Sequence, residues 1–280
     1  MKIWLTGLGI LAASWSMSVR AQEPAIAKPV TAWEADFADR DCGLKRHFQL
    51  GDGIVSLDIR RQVPHRGFRV IVFADKIARD GRKATTSFAD LDVLEHEYVL
   101  DLESGGWEGL TFSLPPEYFD KRADADNASN KLTIRQAFVS DFSLDLQNLG
   151  SALKVMDQCL NDLLSSWGVD PAMHGSLSRH VASKDKDMDW TAAPLKLILK
   201  QEKRRGTIEL DVFLRVGADG RASSCEIWDD VATTRAGKKA CKMMLRLARF
   251  IPALDKDGNP IESFFLLDWR AKFWRTISIL

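Results

Sequence analysis

The sequence has no GxSxG, HExxH, GxxxxGK(S/T) or GxGxxG motif. Nucleophile-elbow hydrolysis, zinc peptidase chemistry, P-loop phosphate binding and dinucleotide binding therefore have no support. It has no CxxC either, which removes the usual redox motif and the zinc knuckle. An excess of charge is also missing. With 39 Lys plus Arg against 39 Asp plus Glu, nothing supplies the basic field expected of a nucleic-acid binder. After the first twenty-odd residues no apolar run is long enough to span a bilayer. The five histidines, His47, His65, His96, His174 and His180, read as scattered. Only His96 is flanked by carboxylates, Glu95 and Glu97, and on a strand or helix those neighbours point away from the ring. We expect no catalytic residue, no metal ligand and no cofactor: a binding protein rather than an enzyme.

What is present begins with a targeting segment over 1–21. Lys2 gives a positive start, Ile3 to Met17 an apolar stretch, and Val19-Arg20-Ala21 a small-x-small cleavage site before Gln22. Arg20 ends the run short of the roughly 20 apolar residues that an uncleaved anchor needs. Cleavage removes Lys2 and Arg20 and leaves a net charge of about −2. The expected location is the periplasm, with membrane attachment only if the leader is kept.

Export lets the four cysteines pair. Four cysteines allow three pairings, and only Cys42 with Cys159 and Cys225 with Cys241 keep each bridge inside one domain. Free buried thiols are the alternative.

A length of 280 residues predicts two domains. The fold class expected is α+β. Residues 22–170 form a strand-rich first domain, with extended segments at Ile54–Arg60, Phe68–Phe73, Trp107–Leu114 and Leu132–Leu146. It closes on a helix over Asn148–Trp167, where Leu149, Leu153, Met156, Leu160, Leu163, Leu164 and Trp167 recur at helical spacing. Asn127-Ala128-Ser129 fits a glycosylation acceptor but reads as ordinary loop in a bacterial setting. Residues 171–189 lack periodicity and read as a linker. Their alternating Asp residues fail the calcium-loop pattern, with Trp190 and Lys196 where Gly and Glu belong.

Residues 190–280 form the second domain. Thr207–Val216 places Ile208, Leu210, Val212, Leu214 and Val216 on one face and Glu209, Asp211 and Arg215 on the other, so one face is expected to be buried. Ala218-Asp219-Gly220-Arg221 turns into a second strand, Ala222–Trp228. A helix follows over Thr233–Phe250, with Ala240, Cys241, Met244, Leu245 and Ala248 toward the sheet. After Pro252 and the turn at Asp257–Pro260, Ile261–Phe273 alternates again. The order is helix, strand, strand, helix, strand.

Gly206 with Phe213 and Asp219-Gly220-Arg221, then Arg249-Phe250-x-Pro252-Ala253, then Gly258-x-Pro260 and the alternating last strand resemble the C-terminal domain of the TonB family over about Trp190 to Phe273. The cysteine pair before and within the long helix is similar to a periplasmic subgroup of that family. The resemblance implies a small sheet with two helices on one face. It also implies capture of an extended partner segment by strand addition, often from an outer-membrane transporter. Main-chain hydrogen bonds at an open edge supply affinity in that mode. The edge expected is the last strand, with Trp269 and Phe273 anchoring it and Asp268, Arg270 and Lys272 facing out. The function expected is an exported protein-binding module of the cell envelope. The alternative is a membrane-anchored energy transducer serving transmembrane transport, although a globular first domain and few prolines stand here where transducers carry a long Pro-rich spacer. After the second strand, Trp228-Asp229-Asp230-Val231 replaces the Ser-Ser-Gly common in relatives, and the chain continues through Trp274 to Leu280, which could cover the edge or pair with a second copy as a homodimer.

Arg235, Lys238, Lys239, Lys242, Arg246 and Arg249 recur at helical spacing with no acid among them. They form a basic face, read either as a dock for an anionic partner or as a solvated surface.

Overall fold

A computed structural model describes residues 23–74, 83–88, 94–97, 99–104, 107–120, 130–202 and 206–273. Side chains are described within these except at 96–97, 99–104, 107–108, 120, 201–202, 206–209 and 269–273. The leader, the Asn127 sequon and the tail from Trp274 lie outside the described residues.

The chain is mixed α+β. Its N-terminal part runs β1 (Ala25–Pro29), β2 (Glu34–Phe37), β3 (Cys42–Leu50), β4 (Gly53–Arg61), β5 (Phe68–Ala74), β6 (Lys83–Phe88), β7 (Leu94–Glu97), β8 (Val99–Ser104) and β9 (Trp107–Leu114). Then come the short α1 (Glu117–Asp120), β10 (Lys131–Arg135), β11 (Phe142–Asp145) and α2 (Leu149–Ser166). Eleven strands join in one curled sheet ordered β7-β6-β10-β11-β1-β3-β4-β5-β9-β8, with β2 beside β3. Every pairing is antiparallel except β1 with β11, which links the two halves of the sheet. The expected single extended segment Leu132–Leu146 is two strands, because Gln136 turns the chain with φ 63.

Alternation decides the faces of this sheet. Val55, Leu57 and Ile59 of β4 are buried in the core, while Ser56, Asp58 and Arg60 occupy the opposite face. Against the inner face lies α2, burying Leu149, Leu153, Met156, Cys159 and Leu160 in the same core as Phe48, Phe68 and Phe142. Cys42 opens β3 and joins Cys159 of α2, with Cα atoms 6.0 Å apart.

The segment expected to be a linker is not bare loop. Pro171–Gly175 forms a short helix, α3, whose Asp170 side chain accepts from the amides of Ala172 and Met173. Ala182–Ser183 forms β12, and a 3-10 turn follows at Asp189–Thr191.

The C-terminal part comprises α4 (Ala192–Glu202), β13 (Gly206–Val216), β14 (Ala222–Ile227), α5 (Arg235–Leu247), β15 (Phe250–Ile251), β16 (Ala253–Leu254), β17 (Pro260–Ile261) and β18 (Ser263–Phe273). Three strands make an antiparallel sheet ordered β14-β13-β18. β15 pairs with β12, which ties the connecting segment to this unit. Leu210, Val212, Leu214, Val216, Ile227 and Leu267 share a core with Ile198 of α4 and with Ala240 and Met244 of α5. Cys225 of β14 joins Cys241 of α5 at a Cα separation of 5.6 Å.

The turn between β13 and β14 needs glycine. Gly220 has φ 75, and a Cβ there would run into the carbonyl of Phe250. Phe250 in turn donates its amide to the Gly220 carbonyl at 2.9 Å. Asp219-Gly220-Arg221 and Arg249-Phe250-x-Pro252, distant in sequence, are thus one contact. Where Trp228-Asp229-Asp230-Val231 interrupts the expected helix start, Asp229 caps a 3-10 turn over Asp230–Thr233, and Thr234 then caps α5 by accepting from the Gly237 amide at 3.1 Å.

The sequence showed one buried face of β13, and the structure covers the other, carrying Asp211 and Arg215, with the N-terminal part. Phe213, only 2% exposed, packs with Phe264, Leu266, Val63 and Leu164. Trp167, at the end of α2, meets Phe213 at 5.9 Å, Trp228 at 4.8 Å and Phe264 at 6.1 Å between ring centroids. The polar residues of that face have polar partners across the seam: Gln62 donates to Asp211 at 3.2 Å, and Arg215 donates to the Trp167 carbonyl at 2.9 Å.

Candidate functional site

Both faces of the β14-β13-β18 sheet are covered, so its edges are what it offers to other chains. The Trp228 amide donates to the Asp211 carbonyl, so odd-numbered residues of β13 direct their backbone groups toward β14 and even-numbered ones toward β18. β18 pairs with β13 without interruption from Ser263 opposite Val216 to Phe273 opposite Gly206. Residues 263, 265, 267, 269, 271 and 273 therefore bond to β13, and Phe264, Leu266, Asp268, Arg270 and Lys272 direct N–H and C=O outward. Among the described residues no strand pairs with that outer side. The other edge, β14, is only 6 residues long against 11 for β18, and it is stapled to α5 through Cys225.

The N-terminal part reaches the β18 edge where Arg66 donates to the Leu266 carbonyl, and Phe264 and Leu266 are buried beside Val63 and Leu164. Burial lowers the Arg66 pKa, opposed by the carboxylates of Asp268 and Asp211. Beside this contact lies a cavity of about 280 Å³ between β18 and the outer face of β4 and β5, lined by Asp41, Arg60, Arg66, Arg69 and Asp268 among others. Its cations are largely spoken for. Arg60 donates to Asp58 at 3.0 Å, Asp41 at 2.8 Å and Asp36 at 2.7 Å, while Arg69 donates to Asp41 at 2.9 Å. Burial raises the Asp58 carboxyl above its ordinary range despite Arg60. Burial likewise raises Asp211, against the Gln62 hydrogen bond.

A second cluster lies at the same seam, and it overturns the reading of the histidines as scattered. His65 comes from the loop between β4 and β5, His174 from α3, and His180 from the stretch before β12. The His65 ring stacks on His180 with centroids 3.8 Å apart, and His65 Nδ1 lies 3.1 Å from His174 Nε2. One nitrogen of each ring falls within 4.8 Å of the others. His174 is 2% exposed and stacks on Phe264 at 5.2 Å. Burial pushes His65 down to about 3 and His174 to about 4, with mutual repulsion adding to both, and it lowers His180 as well. Sequence reasoning missed this group because residues 65 and 174 meet only through the docking of the two parts. The available signal was that His174 and His180 fall in a segment otherwise poor in packing residues.

The remaining expected site residues divide as follows. Both cysteine pairs lie at disulfide distance, and none is free. Asp268 is exposed on β18 and lines the cavity. Trp269, Arg270, Lys272 and Phe273 occupy the expected register positions, but the expectations about their side chains fall outside the described residues. Arg235, Lys238, Lys239, Lys242 and Arg246 are exposed along α5; Arg249 is exposed just beyond its end and donates to the carbonyls of Arg246 and Ala248. The basic face and the β18 edge are separate surfaces, since α5 lies on the far side of the sheet from the seam. His96, like its neighbour Glu97, has no described side chain, so the reading of the Glu95-His96-Glu97 group lies outside the described residues. Among the described residues no helix is long and apolar enough to cross a membrane. Compared with family models, curated proteins and solved structures, the chain matches none.

Proposed function

We propose that the C-terminal unit, from about Trp190 to Phe273, is a protein-binding module that takes an extended partner segment as a fourth strand along β18. We read the chain as an exported protein of the bacterial cell envelope. One observation carries this: among the described residues an eleven-residue strand pairs with another strand on one side only, and past the buried Phe264 and Leu266 its residues Asp268, Arg270 and Lys272 turn their backbone groups outward. An edge of that length is a template for pairing unless something blunts it, and strand addition draws affinity from these main-chain groups. Support also comes from the order α4, β13, β14, α5, β18 and from the contact of Gly220 with Phe250, which unites two pieces of the motif resembling the TonB C-terminal domain. The two cysteine bridges are compatible with an oxidising compartment. The N-terminal part stands where a transducer would carry a spacer, which favours binding over mechanical coupling.

Hydrogen exchange tests the reading without knowledge of the partner. In the free chain the amides of Leu267 and Phe265 exchange slowly while those of Asp268, Arg270 and Lys272, beyond the buried Phe264 and Leu266, exchange fast. A partner identified by crosslinking in the cell envelope then protects the fast set. Arg270→Pro, which removes an outward N–H that β13 does not use, weakens capture without lowering the melting temperature by more than a few degrees. If the amides of Asp268, Arg270 and Lys272 are already protected in the free chain, the edge is sealed and the proposal fails.

A further inference from the structure

We propose that His65, His174 and His180 form a three-imidazole site for a divalent transition metal, zinc in the first instance, with the fourth position open to an exchangeable ligand. The site is independent of strand capture and goes beyond it. Tetrahedral zinc with bonds of about 2.0–2.1 Å sets its ligand nitrogens about 3.3 Å apart. His65 Nδ1 and His174 Nε2, 3.1 Å apart, already have that spacing, and the whole group lies within 4.8 Å, so a modest rotation of one ring closes it.

The ordinary explanation of a buried histidine is a core side chain with satisfied hydrogen bonds. That explanation fails for His180, whose Nδ1 is buried without a hydrogen-bond partner; His174 Nδ1 also lacks one, although the nitrogen of His174 that faces His65 is Nε2. The donor set selects the ion. Imidazole suits zinc, copper and nickel, whereas calcium and magnesium require oxygen. Among the described residues no carboxylate or thiolate joins the group, and every cysteine is bridged. The result is three protein ligands with one position open, unlike the closed four-ligand sites of structural zinc. A cavity of about 330 Å³ lined by His174, Met173 and Glu262 provides an approach. Because His65 belongs to the N-terminal part and the other two to the connecting segment, a bound ion clamps the seam and stabilises the docked arrangement.

Zinc chloride titrated into the EDTA-stripped full chain by calorimetry is expected to show one ion per chain. His65→Gln and His180→Gln are each expected to weaken binding by ~100-fold or more, the upper end for losing even an outer-shell partner. His47→Gln, at an exposed ring hydrogen-bonded to Ser56, leaves binding unchanged. Cobalt(II) in place of zinc gives the intense visible bands of a four-coordinate ion in the wild type and not in the first two variants. Absence of stoichiometric uptake by the wild type, or full uptake by His65→Gln and His180→Gln, overturns the proposal. Should those variants unfold, the wild-type stoichiometry and cobalt spectrum decide alone.

Discussion

The two cysteine bridges close loops of very different length, and that difference sets a measurable ranking. Cys42 and Cys159 are 117 residues apart, and Cys225 and Cys241 are 16 apart. In the chain-entropy model the first restricts the unfolded chain by about 5 kcal/mol and the second by about 3 kcal/mol. Packing adds in the same direction: Cys42 and Cys159 are 1% and 4% exposed inside the main core, whereas Cys225 and Cys241 are half-buried at the edge of theirs. We expect C42A/C159A to lose about 2 kcal/mol more stability than C225A/C241A, read from urea midpoints at 25 °C by tryptophan fluorescence. Mild reductant should open the bridges in the opposite order, Cys225–Cys241 first, because attack by a thiolate needs access. If the short-loop variant loses as much stability as the long-loop one at equal m value, loop closure is not what these bridges contribute.

Two further outcomes follow from the seam. Trp167→Ala removes the half-buried ring that touches Phe213, Trp228 and Phe264; a loss of about 3 kcal/mol, the low end for truncating a large aromatic, should appear in calorimetry as one unfolding transition splitting into two. Asp211→Asn keeps the oxygen that accepts from Gln62 but removes a carboxyl whose pKa burial raises. A raised folded pKa contributes stability that is present below the ordinary value and is lost as pH rises through the folded one. The variant should therefore gain on the order of 1 kcal/mol over wild type at neutral pH, and the gain should vanish as pH falls toward 3.8; equal stability curves across that range would count against the buried-carboxylate account.

Local periodicity carried most of the secondary structure that could be read in advance. α2 and α5 each show an apolar stripe that survives in the fold, and β13 alternates except at Phe213. β1, β2 and β3 were not legible. β3 carries Cys-Gly-Leu-Lys-Arg-His-Phe-Gln-Leu, where Lys45, Arg46 and His47 in succession mask the alternation. Arg46 is nonetheless buried, because it donates to the Thr31 and Gln147 carbonyls. The same masking hid the seam. Asp211 and Arg215 gave no sign of a cover because sequence reports polarity, not whether the polar atoms meet water or a second unit. Phe213 between them was the residue out of place, and it is the one that packs. The histidine group was illegible for a related reason: its members come together only once Val63, Trp167 and Phe264 have docked.

Docking also narrows what a partner can touch. A three-stranded sheet alone offers two faces and two edges. Here α4 and α5 cover one face, Trp167 and Val63 help cover the other, and β14 is held to α5 by a bridge. Among the described residues the main chain left for pairing is thereby the outer side of β18 from Asp268 onward, and Arg66 sits at its border on Leu266. A carbonyl oxygen has two lone pairs, so an incoming strand can share Leu266 only if its own side chain leaves room for the guanidinium, or must displace Arg66 outright. If β18 captures a strand as proposed, the N-terminal part, through one arginine adjacent to His65, then acts on which segments the edge accepts. An Arg66→Ala exchange separates the two cases: it speeds capture where the arginine must leave, and it weakens capture where the arginine contacts the bound strand.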